Sequence, residues 1–156
     1  MTRRTVSILF VCTGNICRSP LAEAVARKLA AEAGKPLEFD SAGTGDWHAG
    51  ESPDPRAVAA GRARGYDLTG RVARAVEDDD FTRFQHLVAL DQSHYKWLKA
   101  RRSASRLPEV PISRLLDWSV GLAGQDVPDP YYGEAEDFER ALDRIEKGCA
   151  GLMARI

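Results

Sequence analysis

The N-terminal apolar run leads directly into a loop and a helix start, and this succession limits the chain to few folds. Residues 6–12, VSILFVC, are nearly all apolar and rich in β-branched side chains, which is typical of a strand buried on both faces. Ser19-Pro20 predicts a helix start, with serine as the N-cap and proline at the first helical position. Apolar residues then recur every fourth position until Gly34, which predicts the end of that helix. A strand that passes at once into a helix predicts an α/β fold.

The rest of the chain repeats this alternation. We predict strands over residues 37–41, 85–90 and 110–115, and helices over residues 54–64 and 93–101. A last helix is predicted with its first turn at residues 134–137 and its apolar stripe over residues 138–156. Ser93 is expected to be the N-cap of the second of these helices. Such alternation implies right-handed crossovers, an open parallel sheet and one domain over residues 1–156. Ligands of open α/β sheets bind beyond the carboxyl ends of the strands, which is where Cys12 lies.

Charge and composition argue against several classes of partner and location. The net charge is −1, so no basic excess indicates nucleic acid or an anionic membrane as a partner. The apolar run of residues 8–12 is too short to span a bilayer. Arg3 and Arg4 precede it, but no small-residue cleavage site follows, so we expect no secretory signal. An odd set of three cysteines is not a disulfide framework and suits a reducing cytoplasm.

Several other charged features are interpreted as structural. His48, His86 and His94 lack the spacing of metal ligands. We therefore interpret each as a surface or strand-edge residue and predict no metal. The basic stretch of residues 101–106 is interpreted as a solvated loop, and the acidic residues 77–80 as a helix start.

Residues 12–19, CTGNICRS, contain the residue types that a phosphate-binding loop needs. Successive backbone N–H groups and the positive end of a helix can converge on phosphate oxygens. Gly14 and Asn15 adopt left-handed backbone angles most readily, and a tight loop requires such angles. Arg18 offers a planar fork that binds two phosphate oxygens at once, which lysine cannot do. The sequence therefore predicts a phosphate site at the end of the first strand.

Cys12 is the candidate nucleophile of this loop. Cysteines beside cations and helix N-termini ionise more readily than free cysteine, so the loop favours a thiolate. Ser19 is placed to donate a hydrogen bond to that sulfur. An isolated cysteine at a strand end is usually a packing residue, and a Cys-x5-Arg spacing alone is weak evidence. The preceding strand, the Gly-Asn turn and the following helix together favour the nucleophile.

A proton donor is expected in the proline-containing segment of residues 126–133. Asp129 lies in this segment, and a carboxylic acid kept protonated in a loaded site would protonate the departing oxygen. The alternative is that Asp129-Pro130 is an ordinary surface turn. The neighbouring phosphate loop favours the general acid, with Asp126 as the next candidate.

Two motifs make the chain similar to a known family. Residues 11–20, VCTGNICRSP, and residues 129–132, DPYY, resemble the low-molecular-weight protein tyrosine phosphatases. Residues 40–44 and 53–56 extend this resemblance, which covers essentially the whole chain. It implies a flavodoxin-like three-layer sandwich, with a four-stranded parallel sheet flanked by helices. It also implies a hydrolase that forms a phosphocysteine intermediate and needs no metal or other cofactor.

The resemblance also implies roles for individual residues. Cys12 would attack phosphorus, and Asp129 would protonate the phenol and then activate water. Asn15 and Ser41 would belong to a hydrogen-bond network that fixes the loop. The phosphate-binding loop would comprise, besides Cys12 and the clamp Arg18, Thr13, Gly14, Asn15, Ile16, Cys17 and Ser19.

One position departs from the family pattern. The family often has a histidine before an Ala-Arg pair, where it supports the asparagine of the phosphate loop. In residues 70–74, GRVAR, that position is Arg71. Either the arginine replaces the histidine as a donor or the network is rearranged.

Aromatic residues indicate the substrate. By the same resemblance, Trp47, Tyr131 and Tyr132 would line the mouth of a deep cleft, and flat apolar walls suit a phosphotyrosine ring. For Trp47 the alternative is a partly buried loop anchor. Ile16 favours phosphotyrosine over phosphoarginine, since relatives that hydrolyse phosphoarginine tend to carry threonine there. We therefore predict phosphotyrosine-containing proteins as partners in signalling, a cognate tyrosine kinase as a candidate partner, and a monomer or weak dimer.

Two rival functions use the same loop. Thiol-dependent arsenate reductases need additional cysteines to pass electrons as disulfides, and residues 78–90 contain none. Cys149 lies on the apolar stripe of the last predicted helix, where a core role is expected. A module that binds phosphotyrosine without cleaving it would need neither the nucleophile nor the acid.

Cys17 supports a redox hypothesis. It shares the loop with Cys12, so it could capture an oxidised Cys12 as a reversible disulfide. A small packing residue is the alternative interpretation.

Overall fold

The computed structural model describes residues 5–156; residues 1–4, which include Arg3 and Arg4, lie outside the described residues. Strands and helices alternate along the described chain. In order they are β1 (Val6–Cys12), α1 (Arg18–Glu32), β2 (Leu37–Gly43), α2 (Pro55–Ala63), α3 (Asp80–Arg83), β3 (His86–Ala89), α4 (Gln92–Ala104), β4 (Ile112–Arg114), a 3-10 turn (Leu115–Trp118) and α5 (Ala135–Arg155).

The four strands form a parallel sheet in the order β2-β1-β3-β4. The central strand β1 separates two apolar clusters, as its alternating side chains require. Ile8 and Phe10 belong to the larger cluster with α1 and α5, whereas Leu9 and Val11 belong to the smaller one with α4. The predicted α/β sandwich with four parallel strands and helices on both faces is confirmed.

Two predicted helix starts were displaced. The helix α1 begins at Arg18 with Cys17 as the N-cap, so Ser19 lies in the first turn. Asp91, and not Ser93, is the N-cap of α4, because its carboxylate accepts the backbone N–H groups of Ser93 and His94. Both serines are therefore one or two positions inside the helix they were expected to cap.

The prediction of a loop over residues 101–106 is wrong for residues 101–104, while residues 105–106 form a turn. The helix α4 continues to Ala104. Arginine has a high helix propensity, and cations are favourable in the last turn of a helix. Arg102 also donates to the carbonyl of Val110 at 2.5 Å, which ties the end of α4 to the segment before β4.

Within residues 5–156, every helix is too short or too polar to cross a membrane.

Candidate active site

The carboxyl end of β1 opens into a cleft with a volume of about 440 Å³. This is within the usual range for small-ligand sites. Most of the predicted site residues line it, while Asn15, Ser19 and Ser41 are buried behind the loop. The lining consists of Cys12, Thr13, Gly14, Ile16, Cys17, Arg18, Trp47, His48, Asp129, Tyr131 and Tyr132.

Residues 12–19, hereafter the phosphate loop, turn their backbone donors and acceptors in different directions. The carbonyls of Cys12, Thr13 and Ile16 accept N–H groups of neighbouring loops at 2.9, 3.1 and 2.9 Å. The N–H groups of residues 14–17 have no acceptor among the described residues. Gly43 permits this close packing, because a Cβ there would lie 2.6 Å from the Thr13 carbonyl oxygen. The loop therefore keeps a row of donors available for an anion.

Asn15 holds the phosphate loop from behind. Its φ is 59°, a left-handed conformation that asparagine tolerates better than most residues. Its side-chain amide donates to Ser19 Oγ at 2.8 Å and to Ser41 Oγ at 2.9 Å, and its carbonyl accepts the backbone N–H of Arg74 at 3.0 Å. The buried side chain is thus bonded at both ends.

Ser19 connects this network to the candidate nucleophile. Its Oγ lies 2.9 Å from Cys12 Sγ, and both residues are buried. Since Asn15 already donates to Ser19 Oγ, the hydroxyl hydrogen of Ser19 is free to point at the sulfur. This arrangement suits stabilisation of a thiolate.

Arg71 joins the network through an intermediary. Ser41 Oγ donates to Glu23 Oε1 at 2.8 Å. The other oxygen of Glu23, a residue only 1 % exposed, pairs with Arg71 and with Arg27, each at 2.7 Å. The arginine at the expected histidine position therefore neutralises a buried carboxylate that accepts from Ser41, without contacting Asn15 directly.

The guanidinium of Arg18 is fixed along one edge. Nη1 donates to Asp91 Oδ2 at 2.7 Å and to the Val127 carbonyl at 3.0 Å, and Nη2 donates to Thr13 Oγ1 at 3.3 Å. These contacts use three of the five N–H groups that a guanidinium carries. The Nε–H and one Nη2–H have no hydrogen-bond acceptor among the described residues, and Asp129 Oδ2 lies 3.6 Å from Nη2. Nε and Nη2 are neighbours on one edge of the planar group. That edge can bind two oxygens of one phosphate.

The sequence analysis missed Asp91 and misjudged His94. His94 was expected at a surface or strand edge, but it is only 1 % exposed. Its Nε2 lies 2.8 Å from Thr13 Oγ1, and its Nδ1 accepts the backbone N–H of Asp91 at 3.2 Å. Burial lowers the pKa of His94 to about 4, against an opposing effect of Asp91. His94 is therefore neutral at pH 7, and the predicted surface position is wrong because α4 turns its first residues toward the phosphate loop.

The segment of residues 126–133, hereafter the acid loop, presents Asp129 to the cleft. Its carboxylate is 46 % exposed and lies 3.6 Å from Arg18 Nη2. The other oxygen accepts the backbone N–H of Tyr131 at 3.1 Å. Asp126, the alternative acid, instead accepts the N–H of Gln92 at 2.9 Å and does not line the cleft.

Aromatic side chains form the outer walls of the cleft. Trp47 is 70 % exposed and Tyr132 is 93 % exposed, so the alternative of Trp47 as a partly buried anchor is wrong. Tyr131 contacts Tyr132 edge to face at 4.8 Å and lies 5.9 Å from the His48 ring. Large exposed aromatic surfaces at a cleft mouth suit a flat ligand group.

Arg56 ties the acid loop to the start of α2, a connection that the sequence did not reveal. It donates to the carbonyls of Tyr131 and Gly133 at 2.8 and 3.2 Å. It also pairs with Asp54 at 2.9 Å and lies 4.7 Å above the Phe138 ring. One side chain thus bridges α2, the acid loop and α5.

The described cysteines are all unpaired and buried. Cys17 lines the same cleft as Cys12. Burial, followed by the negative charge of Asp54, raises the pKa of the Cys17 thiol. Burial likewise raises the pKa of Cys149, which packs in the core against the carbonyl of Ala22 as expected.

The chain matches the family model of low molecular weight phosphotyrosine protein phosphatase over residues 7–156. It is 43 % identical over 155 residues to a low molecular weight protein-tyrosine-phosphatase of Streptomyces coelicolor, with 97 % of this chain and 94 % of that protein covered.

Solved structures show the same fold. YfkJ from Bacillus subtilis has a TM-score of 0.88 at 40 % identity, covering 97 % of this chain and 94 % of that one. DARP, a Drosophila arginine phosphatase, has a TM-score of 0.89 at 27 % identity, covering 94 % and 95 %. YfkJ is named a low molecular weight protein-tyrosine-phosphatase and DARP an arginine phosphatase, so proteins with both names share this fold.

Proposed function

The chain belongs to the low molecular weight phosphotyrosine protein phosphatase family, and we propose that it hydrolyses phosphotyrosine in proteins through a cysteinyl-phosphate intermediate. One observation carries the proposal. Cys12, Arg18 and Asp129 line one cleft, with Ser19 Oγ 2.9 Å from the sulfur and Asp129 3.6 Å from the guanidinium. A nucleophile, an anion clamp and a proton donor are the groups that this chemistry requires.

In the first step the Cys12 thiolate attacks phosphorus, and the bond to the tyrosine oxygen breaks. The protonated Asp129 gives its proton to that oxygen, so tyrosine leaves neutral. The free Nε–H and Nη2–H edge of Arg18 and the unpaired N–H groups of the phosphate loop bind the phosphoryl oxygens.

In the second step water attacks the cysteinyl phosphate. The Asp129 carboxylate takes a proton from the water, and the sulfur–phosphorus bond breaks. The hydroxyl of Ser19 donates to the departing Cys12 thiolate, which restores the resting site and releases inorganic phosphate.

The walls of the cleft support an aromatic substrate. Trp47, Tyr131 and Tyr132 expose ring surface beside the loop, and a phosphotyrosine ring can stack there while its phosphate reaches Cys12. The likeness to an arginine phosphatase makes phosphoarginine the second candidate. Ile16, buried and apolar in the phosphate loop, favours phosphotyrosine.

Further proposals concern the setting of the enzyme. We expect one catalytic domain over residues 1–156, acting in the cytoplasm on phosphoproteins in signalling, as a monomer or weak dimer. A cognate tyrosine kinase stays a candidate partner. The reversible Cys12–Cys17 disulfide also stays a prediction; the raised pKa of Cys17 keeps its thiol protonated in the resting enzyme, so Cys12 would be the first to react with peroxide.

Replacement of the nucleophile tests the function. The wild type should hydrolyse a phosphotyrosine peptide far faster than matched phosphoserine and phosphoarginine peptides. Cys12→Ser should abolish turnover while orthovanadate still binds, since the phosphate loop persists without its thiolate. Cys149→Ala, which removes a core thiol, should keep turnover.

Retained turnover in Cys12→Ser would overturn the covalent mechanism. A preference for the phosphoarginine peptide would make phosphoarginine the proposed substrate. A substrate-trapping pull-down with Cys12→Ser would then identify the phosphoproteins that the enzyme binds.

A further inference from the structure

His94 is a buried histidine with a hydrogen bond at each ring nitrogen, and one of these bonds reaches the phosphate loop. It lies in the first turn of α4, yet its Nε2 is 2.8 Å from Thr13 Oγ1 across the sheet edge. Thr13 and His94 are 81 residues apart in the sequence, so the tertiary fold brings them into contact. A helix-capping role alone would require only Nδ1.

The hydrogen-bond partners determine the tautomer. The backbone N–H of Asp91 donates to His94 Nδ1 at 3.2 Å. Asp91 Oδ1 also lies 3.2 Å from Nδ1, but it already accepts the N–H and hydroxyl of Ser93 and the N–H of His94. The backbone N–H of Asp91 can only donate, so Nδ1 presents its lone pair to that group. In a neutral ring the proton is therefore on Nε2. His94 Nε2–H donates to Thr13 Oγ1.

This donation fixes the roles of the Thr13 hydroxyl. Thr13 Oγ1 accepts from His94 at 2.8 Å and from Arg18 Nη2 at 3.3 Å. A hydroxyl oxygen accepts two hydrogen bonds and donates one. The hydrogen of Thr13 is therefore left for a group in the cleft that this residue lines.

We propose that His94 is a positioning residue of the phosphatase, which through Thr13 orients Arg18 and directs the Thr13 hydroxyl toward an oxygen of the bound phosphate. The inference rests on the proposed function. Thr13 accepts one Nη2–H of Arg18 and so helps to hold the guanidinium, while the Nε–H and the second Nη2–H have no hydrogen-bond acceptor among the described residues. The low pKa of His94, caused by burial, is consistent with a ring that stays a neutral Nε2–H donor at pH 7.

Two substitutions separate positioning from helix capping. In His94→Asn the side-chain oxygen replaces Nδ1 as the acceptor for Asp91 but cannot reach Thr13. In His94→Gln the side-chain amide replaces Nε2 as the donor to Thr13 but loses the capping acceptor. The two variants therefore each keep one of the two bonds.

We expect His94→Asn to lower kcat/KM for a phosphotyrosine peptide about three- to tenfold and to weaken orthovanadate binding by a similar factor, the usual effect of one lost hydrogen bond. Its thermal unfolding midpoint should stay near that of the wild type. His94→Gln should recover the kinetics to within about twofold while unfolding at a lower temperature. If kcat/KM fell only in His94→Gln, the role of His94 would be that of a helix cap and the proposal would be wrong.

Thr13 provides an independent check should His94→Asn not fold. Thr13→Val should lose at least as much activity as His94→Asn, because it removes both the acceptor and the donated hydrogen, and Thr13→Ser should restore it. In the double variant the His94 substitution should add almost nothing. Additive losses would overturn the proposal.

Nitrogen-15 NMR of the wild-type histidine rings gives a readout independent of turnover. The His94 ring should show the neutral Nε2–H tautomer at pH 7, and the Nδ1–H tautomer would contradict the inference. Orthovanadate affinity distinguishes the two levels of failure. A wild type without turnover would refute the proposed function, while vanadate binding that depends on His94 would still support the positioning role.

Discussion

The two loops that form the cleft are built in opposite ways. In the phosphate loop, Cys12, Asn15 and Ser19 are almost inaccessible and held by buried side chains. In the acid loop, Val127 is bonded to Leu90 and Arg18, but Asp129 is half exposed and Tyr132 is 93 % exposed. After Asp129, the carbonyls of Tyr131 and Gly133 are held by Arg56.

This difference matches the task of each loop. A nucleophile and an anion clamp need a fixed geometry, because small displacements cost large factors in rate. A proton donor must meet substrates that enter and leave, and mobile loops often serve that purpose. The contrast therefore predicts that damage to the phosphate loop affects every substrate, while damage to the acid loop depends on the leaving group.

The broadest effect, a loss of turnover for every substrate, is expected for Arg18→Lys. The ammonium of lysine cannot replace the bidentate edge, so turnover should fall roughly 10²–10³-fold, the usual cost of removing an oxyanion donor. The loss should be similar for phosphotyrosine and p-nitrophenyl phosphate, as measured by steady-state kinetics. A loss confined to phosphotyrosine would contradict the assigned role.

Asp129→Ala tests the acid loop. The rate of cysteinyl-phosphate formation should fall roughly 10²–10⁴-fold for phosphotyrosine, the usual contribution of general acid catalysis. The activated ester p-nitrophenyl phosphate needs less protonation, so its burst phase should fall less. Pre-steady-state bursts with both substrates measure this difference.

Overall turnover is not a sufficient measure for this variant, because in the proposed mechanism the second step also needs the carboxylate as a base. Equal burst losses for both substrates would make Asp129 a structural turn residue. Asp126→Ala serves as the matched control and should keep the burst for both esters, since Asp126 bonds to Gln92 outside the cleft.

A smaller effect is expected for Arg56→Gln. Loss of its bonds to Tyr131 and Gly133 should loosen the acid loop. The phosphotyrosine burst should fall about three- to tenfold, a magnitude typical of lost hydrogen bonds, with orthovanadate affinity unchanged. Arg56→Lys should retain part of the activity. Weaker vanadate binding in Arg56→Gln would show that the two loops are not independent.

The last prediction concerns the pH dependence of stability, which we expect to depend on His94 and to affect turnover least. Its pKa is lowered to about 4 in the folded protein, so its contribution to stability is complete above about pH 6.5 and is lost as the pH falls toward 4. We expect the free energy of unfolding to drop by about 2 kcal/mol more in the wild type than in His94→Asn between pH 7 and pH 5. Urea unfolding at both pH values measures it.

His86 does not disturb this comparison, because burial lowers its pKa in the same direction and both proteins retain it. An identical pH dependence in the two proteins would show that His94 is not held neutral by the fold.

The phosphate loop could be predicted because its signal is contiguous. The strand, the Gly-Asn turn and Arg18 follow one another in residues 6–18, so local patterns contain most of the information. The resemblance assigned Asn15 to a hydrogen-bond network. The continuation of that network through Glu23 to Arg71 could not be predicted, because Ser41, Glu23 and Arg71 come from three separate segments.

The other side of the cleft depends on strand order, which local patterns do not encode. Asp91 and His94 reach Arg18 and Thr13 because β3 lies beside β1 in the sheet. In the sequence, His94 lies among polar residues and looks like a surface histidine. The displaced cap of α4 has a local cause instead, because the Asp91 carboxylate two residues before Ser93 caps that helix.

The left-handed backbone at Asn15 constrains how this chain can diverge. Glycine would accept that backbone but has no amide, and aspartate would tolerate it but has no N–H to donate to Ser19 and Ser41. Of these three residue types, asparagine alone meets both demands. Arg71 only needs to supply positive charge to Glu23, and several residues can do that. Substitutions can therefore accumulate at position 71 while Asn15 stays fixed. Proteins that descend from such a chain would share the phosphate loop and differ in the residue that pairs with Glu23.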